Sequence, residues 1–152
     1  MGGSRIQRSV WEDRFSQPTE TEVLSHYTRQ LRGCAESVRA VMAARAEIRE
    51  SLEWMGVPWR WTFVYRREGL ASRSDAYLVP FPAGPRWVLA VPTEIAAHLP
   101  LRALPRIVRD AFASATRVGS QVWPQWDIQT KAQVQEVAGV LDAIASGEAV
   151  SA

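Results

Sequence analysis

Between Val57 and Tyr65 the chain alternates with a period of two: Val57, Trp59, Trp61, Phe63 and Tyr65 are separated by Pro58, Arg60, Thr62 and Val64, with Arg66 following. Side chains two residues apart fall on one side of an extended backbone, so the run predicts a β-strand with a buried face. That face would carry Trp59, Trp61 and Tyr65 together and turn Arg60 and Arg66 away from them. The punctuation that follows sets how the strand continues. Arg67–Ser74 contains Gly69 and two serines and reads as a polar turn. Asp75–Phe81 reads as a second strand, ended by Pro80 and Pro82, which cannot donate to a ladder. Pro82-Ala83-Gly84-Pro85 is a tight-turn signal, after which Trp87, Leu89 and Val91 alternate with Arg86, Val88 and Ala90 as a third strand. Three adjacent strands on short turns predict an antiparallel meander.

The flanking segments change to a helical period. Thr19 and Glu22 form a capping box, and Val23, Leu24, Tyr27 and Leu31 recur at helical spacing, which predicts a helix over Thr19–Leu31 ended by Gly33. Val38, Val41, Ala44, Ile48 and Leu52 predict a longer helix over Ala35–Trp54, stopped by Gly56 and Pro58. After the meander, Pro92-Thr93 opens a short helical piece to Leu99. Leu104, Ile107, Val108, Ala111, Phe112 and Ala115 then form an amphipathic helix ended by Gly119, with Arg102, Arg106, Arg109 and Asp110 outside. Gln121–Ile128 reads as a fourth strand that Pro124 confines to an edge or a bulge. Thr130 and Gln133 make a second capping box for a helix running through Val134, Val137, Leu141 and Ile144 to Gly147. The order α-α-β-β-β-α-β-α predicts a two-layer α+β domain, a four-stranded, mainly antiparallel sheet packed with helices.

With 152 residues the chain fits one domain. Residues 1–10, with paired glycines, are expected to be a flexible tail, 11–147 the domain, and 148–152 a disordered C-terminus. No window approaches the roughly 20 apolar residues of a membrane span, and Met1-Gly2-Gly3-Ser4-Arg5 leads into polar sequence, so a cytoplasmic protein without membrane contact is expected. The single cysteine, Cys34, excludes an internal disulfide, and two histidines, His26 and His98, cannot make a zinc set.

The N-terminal helices, the run Glu53-Trp54-Met55-Gly56-Val57-Pro58-Trp59-Arg60-Trp61, the Tyr77-Leu78-Val79-Pro80 strand, the Trp87-Val88-Leu89 strand and the final strand leading into an amphipathic helix form a pattern. Over about residues 11–145 it resembles the bacterial DUF3788 group and, more distantly, the DUF1801 or YdhG-like proteins. The resemblance implies a small α+β fold and, through the YdhG-like proteins described as frataxin-like iron chaperones, metal handling by clustered carboxylates. Oxygen donors suit such ions. Glu12, Asp13, Glu20 and Glu22 lie near the first helix. Glu47, Glu50 and Glu53 are spaced to share a face of the second predicted helix and are the ligand set this reading would use, although Arg45 and Arg49 sit among them.

Nothing in the sequence reads as catalytic. A Gly-rich phosphate loop, a nucleophile elbow and a paired His-carboxylate motif are all missing, so no catalytic residue and no cofactor are implied. Cys34 lacks a companion base. Seventeen of the 18 cationic residues are arginine, and residues 59–117 carry 9 of them against 4 acids. Arg102, Arg106 and Arg109, with Arg66 and Arg67, are therefore the residues a weak nucleic-acid site would use, although a nucleic-acid module shows a denser stripe. The more unusual feature is seven tryptophans. Core packing is the plain explanation of Trp59, Trp61, Tyr65, Trp87, Trp123 and Trp126. The sharper one is an aromatic-lined site in which Arg60, Arg66 or Arg86 fixes a polar group, with Trp123 and Trp126 the rings expected to be exposed beside Pro124. The reading carried forward is a non-enzymatic binding domain for a small molecule or a protein partner. A homodimer through a free strand edge is a further expectation.

Overall fold

A computed structural model describes residues 12–67 and 74–151. The expected tail over 1–10 and most of the expected polar turn over 67–74 lie outside the described residues. The fold is α+β. Among the described residues, five helices pack with two antiparallel sheets, one of five strands and one of three.

Helix α1 (Glu20–Leu24) starts at the expected capping box: Thr19 accepts from Glu22 N, and the Glu22 side chain reaches back to Thr19 N. It is shorter than expected. Thr28 is a second N-cap, accepting from Leu31 N at 3.3 Å, and it restarts the chain as α2 (Arg29–Ala43). Gly33 lies inside α2 instead of ending a helix. A Cβ there would meet Lys131 Cε at 3.5 Å, an ordinary contact, so nothing in the packing makes the position a helix stop.

The largest departure follows α2. In place of a helix to Trp54, the chain turns at Ala44 and forms strand β1 (Ile48–Trp54). Ile48 and Leu52 are four apart, a spacing that satisfies a helix and a strand equally. Pairing decides the matter, because β1 is antiparallel to β2 (Trp61–Arg67) along its whole length, from Ile48 opposite Arg67 to Trp54 opposite Trp61. Strands β3 (Ser74–Phe81) and β4 (Gly84–Leu89) complete the predicted meander.

A two-residue strand, β5 (Val91–Pro92), leads into α3 (Thr93–His98). The predicted amphipathic helix divides into a 3-10 turn at Leu101–Ala103 and α4 (Arg106–Ala113), with Pro105 between them. Then β6 (Thr116–Val118) and β7 (Gln121–Trp123) form a hairpin around Gly119, whose φ of +58° suits glycine. Pro124 breaks the predicted fourth strand in two. Its first half, β7, pairs with β5 and β6, and its second half, β8 (Gln125–Asp127), is the edge strand beside β4. The Pro124 carbonyl accepts from Leu89 N at 3.0 Å, which holds the crossing point against β4. Helix α5 (Lys131–Ser151) passes through Gly147 and covers part of the stretch expected to be disordered.

The large sheet has the order β1-β2-β3-β4-β8, one strand more than expected because residues 48–54 form β1 instead of the end of a helix. Its main core lies on the face covered by α1, α2 and α5, where Leu24, Val38, Met42, Phe63, Tyr65, Leu78, Trp87, Leu89, Val134 and Val137 are all buried. Each such side chain contributes about 1.5–3 kcal/mol on burial. Among the described residues, no helix is long and apolar enough to cross a membrane.

Candidate functional site

Strand alternation gives the large sheet two unlike faces. Trp61, Phe63 and Tyr65 of β2 enter the helix-covered core, whereas Thr62 and Val64 point the other way and are equally buried. On this second face Val64, Tyr77, Val79 and Val88 form a smaller apolar cluster, packed by Trp59, Phe81 and Trp123, and no helical residue belongs to it. Among the described residues, the large side chains over this cluster come from the strands and the segments that join them.

Trp59 is there because it is not in the strand. The turn between β1 and β2 is closed by Arg60 N donating to the Gly56 carbonyl at 2.6 Å and Met55 N donating to the Arg60 carbonyl at 2.9 Å. Gly56 has φ +78° and Arg60 φ +61°. The left-handed residue at position 60 interrupts the period-two pattern and sends Trp59 to the face opposite Trp61. The expectation that Trp59, Trp61 and Tyr65 share a face is thereby overturned, and Arg66, placed away from Trp59 by that expectation, lies on the same side.

The result is a three-ring cluster. Trp59 meets Tyr77 edge-on at 5.1 Å between centroids, Trp123 tilts against Tyr77 at 5.4 Å, and Trp59 and Trp123 lie 6.2 Å apart at 34°. Tyr77 is buried, while Trp59 and Trp123 are half-buried. Aromatic pairs in such offset and edge-on arrangements gain about 0.5–1.5 kcal/mol beyond burial. Phe81 extends the aromatic surface, with the Arg86 guanidinium 4.7 Å from its ring centroid.

Charges border the rings in pairs. Arg66 donates to both carboxylate oxygens of Glu53, a contact that holds the Glu53 carboxyl below its ordinary range and raises the Arg66 guanidinium. At the other border Arg86 Nε donates to Asp127 Oδ1 at 2.7 Å. Among the described residues, both arginines that border the rings, Arg66 and Arg86, are matched with carboxylates.

The other sequence candidates fall elsewhere. Trp87 and Trp126 are cross-strand neighbours on the helix side and are buried. Trp126, expected to be exposed, donates Nε1 to the Ile107 carbonyl at 3.0 Å. Trp61 donates Nε1 to the Asp13 carbonyl at 2.7 Å, and Arg60 pairs with Glu12 at 3.4 Å, so both belong to the docking of the N-terminal segment. Glu47, Glu50 and Glu53 share no helix face, because the segment is a strand. Glu47 precedes β1, Glu50 faces α2 and bonds Arg39 and Tyr65, and Glu53 lies on the opposite side with Arg66. Among the described residues, no group of three or more histidine, cysteine or acidic side chains could hold a metal ion. Arg102 sits in the 3-10 turn, separate from Arg106 and Arg109 on α4, so the three do not form one helical stripe.

Cys34 is buried, which pushes its thiol up. His26 and His98 are exposed. Sequence reasoning missed Tyr77, the central ring. The available signal was the alternation Tyr77, Val79, Phe81 on β3, which marks a second apolar face. Comparison of the chain with protein-family models, curated proteins and solved structures gives no match.

Proposed function

We propose that this is a non-enzymatic binding domain that receives a small, neutral, ring-bearing molecule on the Trp59–Tyr77–Trp123 face. The observation that carries the reading is the placement of two half-buried indoles on a sheet face whose apolar cluster has no helical member among the described residues. Rings held in fixed offset geometry supply flat apolar area at little entropic cost, and the N–H of Trp59 and the hydroxyl of Tyr77 supply polar edges. Both flanking arginines are already matched with carboxylates, which favours a neutral ligand over an anion or a nucleic-acid backbone.

The test follows the indole N–H signals of 15N-labelled protein during titration with adenosine, cellobiose and indole, with Trp59→Phe and Trp123→Phe assigning the peaks. Saturable shifts at Trp59 and Trp123, with the Trp87 signal unmoved, are expected for at least one probe. If no probe moves those two signals saturably, the rings are only the lid of the smaller apolar cluster and the reading is wrong.

A further inference from the structure

On the helix-covered side of the sheet, away from the ring cluster, a cavity of about 400 Å³ opens between the C-terminal end of α2, the start of β1 and α5. That volume lies within the range of about 300–1,000 Å³ usual for small-molecule sites. Its inner wall is apolar, formed by Met42, Val91, Leu141 and Ile144, and its charged residues are Arg45, Arg67, Glu47 and Asp75.

The two arginines differ in what they have left to give. Arg67 is held by Asp75, with Nε 3.1 Å from Oδ2. Arg45 donates Nη2 to Asp142 Oδ1 at 2.8 Å, but its Nε is sealed from solvent and has no acceptor. Nε and Nη2 form one edge of a guanidinium, spaced to meet the two oxygens of one carboxylate. The same protein shows that edge filled twice. Arg39 gives Nε and Nη2 to the two oxygens of Glu50 at 3.1 and 2.7 Å, and Arg86 gives the same atoms to Asp127 at 2.7 and 3.4 Å. At Arg45 half of the edge stands empty.

We infer that the cavity binds an amphipathic monocarboxylate, its carboxylate bridging Nε and Nη2 of Arg45 and its apolar body lying against Met42, Val91, Leu141 and Ile144. A buried donor without an acceptor is destabilising, and a ligand acceptor recovers that loss. Asp142 is the group such a ligand displaces. Its side chain is 80% exposed, so it returns to water with little loss on leaving Arg45. The missing partner is an acceptor, which selects a carboxylate over an amine of the same shape. The apolar wall selects an alkyl or aryl acid over inorganic anions.

The experiment is calorimetric titration of the full chain with octanoate, octan-1-ol and octylammonium. Octanoate is expected to saturate, with the other two weaker by about tenfold or more, the value of a charge-assisted bond. Arg45→Lys keeps the charge and loses the planar edge, and is expected to weaken octanoate by at least about tenfold. Asp142→Ala, a change at an exposed position, removes the competitor and is expected to tighten it. Trp59→Ala and Trp123→Ala are expected to leave octanoate affinity unchanged, so this site and the ring face stand or fall separately. Circular dichroism confirms that each variant is folded before its affinity is read. Lack of saturation by octanoate, equal binding of octan-1-ol, or an affinity that survives Arg45→Lys in folded protein would each overturn the proposal.

Discussion

The hydroxyl of Tyr65 donates to Glu50 Oε2 at 2.7 Å, between residues directly opposite one another on β1 and β2. The same carboxylate takes both donors of Arg39 from α2, and the Arg39 guanidinium lies 4.8 Å from the Phe63 ring centroid. This group of side chains joins the edge strand to the helix above it. Burial raises the Tyr65 hydroxyl well above its ordinary range, so it remains a donor at any working pH.

Tyr65→Phe removes one hydrogen bond to a charged group and leaves the ring in place. The expected loss is about 1.5–3 kcal/mol of folding stability. Urea unfolding measures it, and a cycle with Glu50→Gln shows whether the two side chains are coupled. Additive losses would mean that the bond does not form in solution.

The Glu53–Arg66 pair predicts an acid limb in the stability profile. Arg66 lowers the Glu53 carboxyl below its ordinary value of 4.5, so the folded state binds that proton less readily than the unfolded chain does. The contribution is fully present above that ordinary value and is lost as pH falls through the folded one. Unfolding midpoints measured from neutral pH down to acid are expected to fall less steeply in Glu53→Gln. A parallel profile in the variant would remove the pair from the account.

Among the described residues the tryptophans divide by face, and truncation separates the classes. Trp87 is 0% exposed in the main core, and Trp87→Ala is expected to cost about 3–5 kcal/mol, a large share of the stability of an ordinary domain. Trp59→Ala, at a half-buried ring on the smaller cluster, is expected to cost well under half of that and to leave a cooperative thermal transition. Equal losses would show that Trp59 belongs to the folding core.

Cys34 is predicted to be inert in the native state. Its side chain is buried, and burial holds the thiol protonated, outweighing the opposing effect of Lys131. Only the thiolate is the nucleophile. Labelling by an aromatic disulfide reagent at neutral pH is expected to follow the rate of opening and to accelerate in urea. A rapid stoichiometric reaction without denaturant would show the position to be open.

How much could be read beforehand depended on whether neighbouring residues or distant ones made the choice. The meander β2-β3-β4 was legible because alternation and the turns at Pro82–Pro85 are local signals. So were the capping boxes at Thr19 and Thr130, since a cap is satisfied within one helical turn: Thr130 accepts from Gln133 N, and Gln133 answers to Thr130 N. The α+β class follows from the succession of those periods.

Residues 48–54 show the limit. Ile48 and Leu52 fit either period, and only a partner strand, supplied from Trp61 onward, decides for β. Trp59 shows it again, because one left-handed residue at Arg60 reverses the face that alternation assigns. The metal reading of Glu47, Glu50 and Glu53 rested on a helix, and it dissolved when that helix became a strand with Glu50 and Glu53 on opposite sides. Residue identity and local periodicity determined which elements could form and which side chains needed burial. Tertiary pairing determined which face each ring occupies, that Tyr77 stands between Trp59 and Trp123, and that Arg45 meets a cavity with half of its hydrogen-bonding edge unfilled. Those outcomes are set by contacts between segments remote in sequence, whose free energies exceed the small preferences of the local chain.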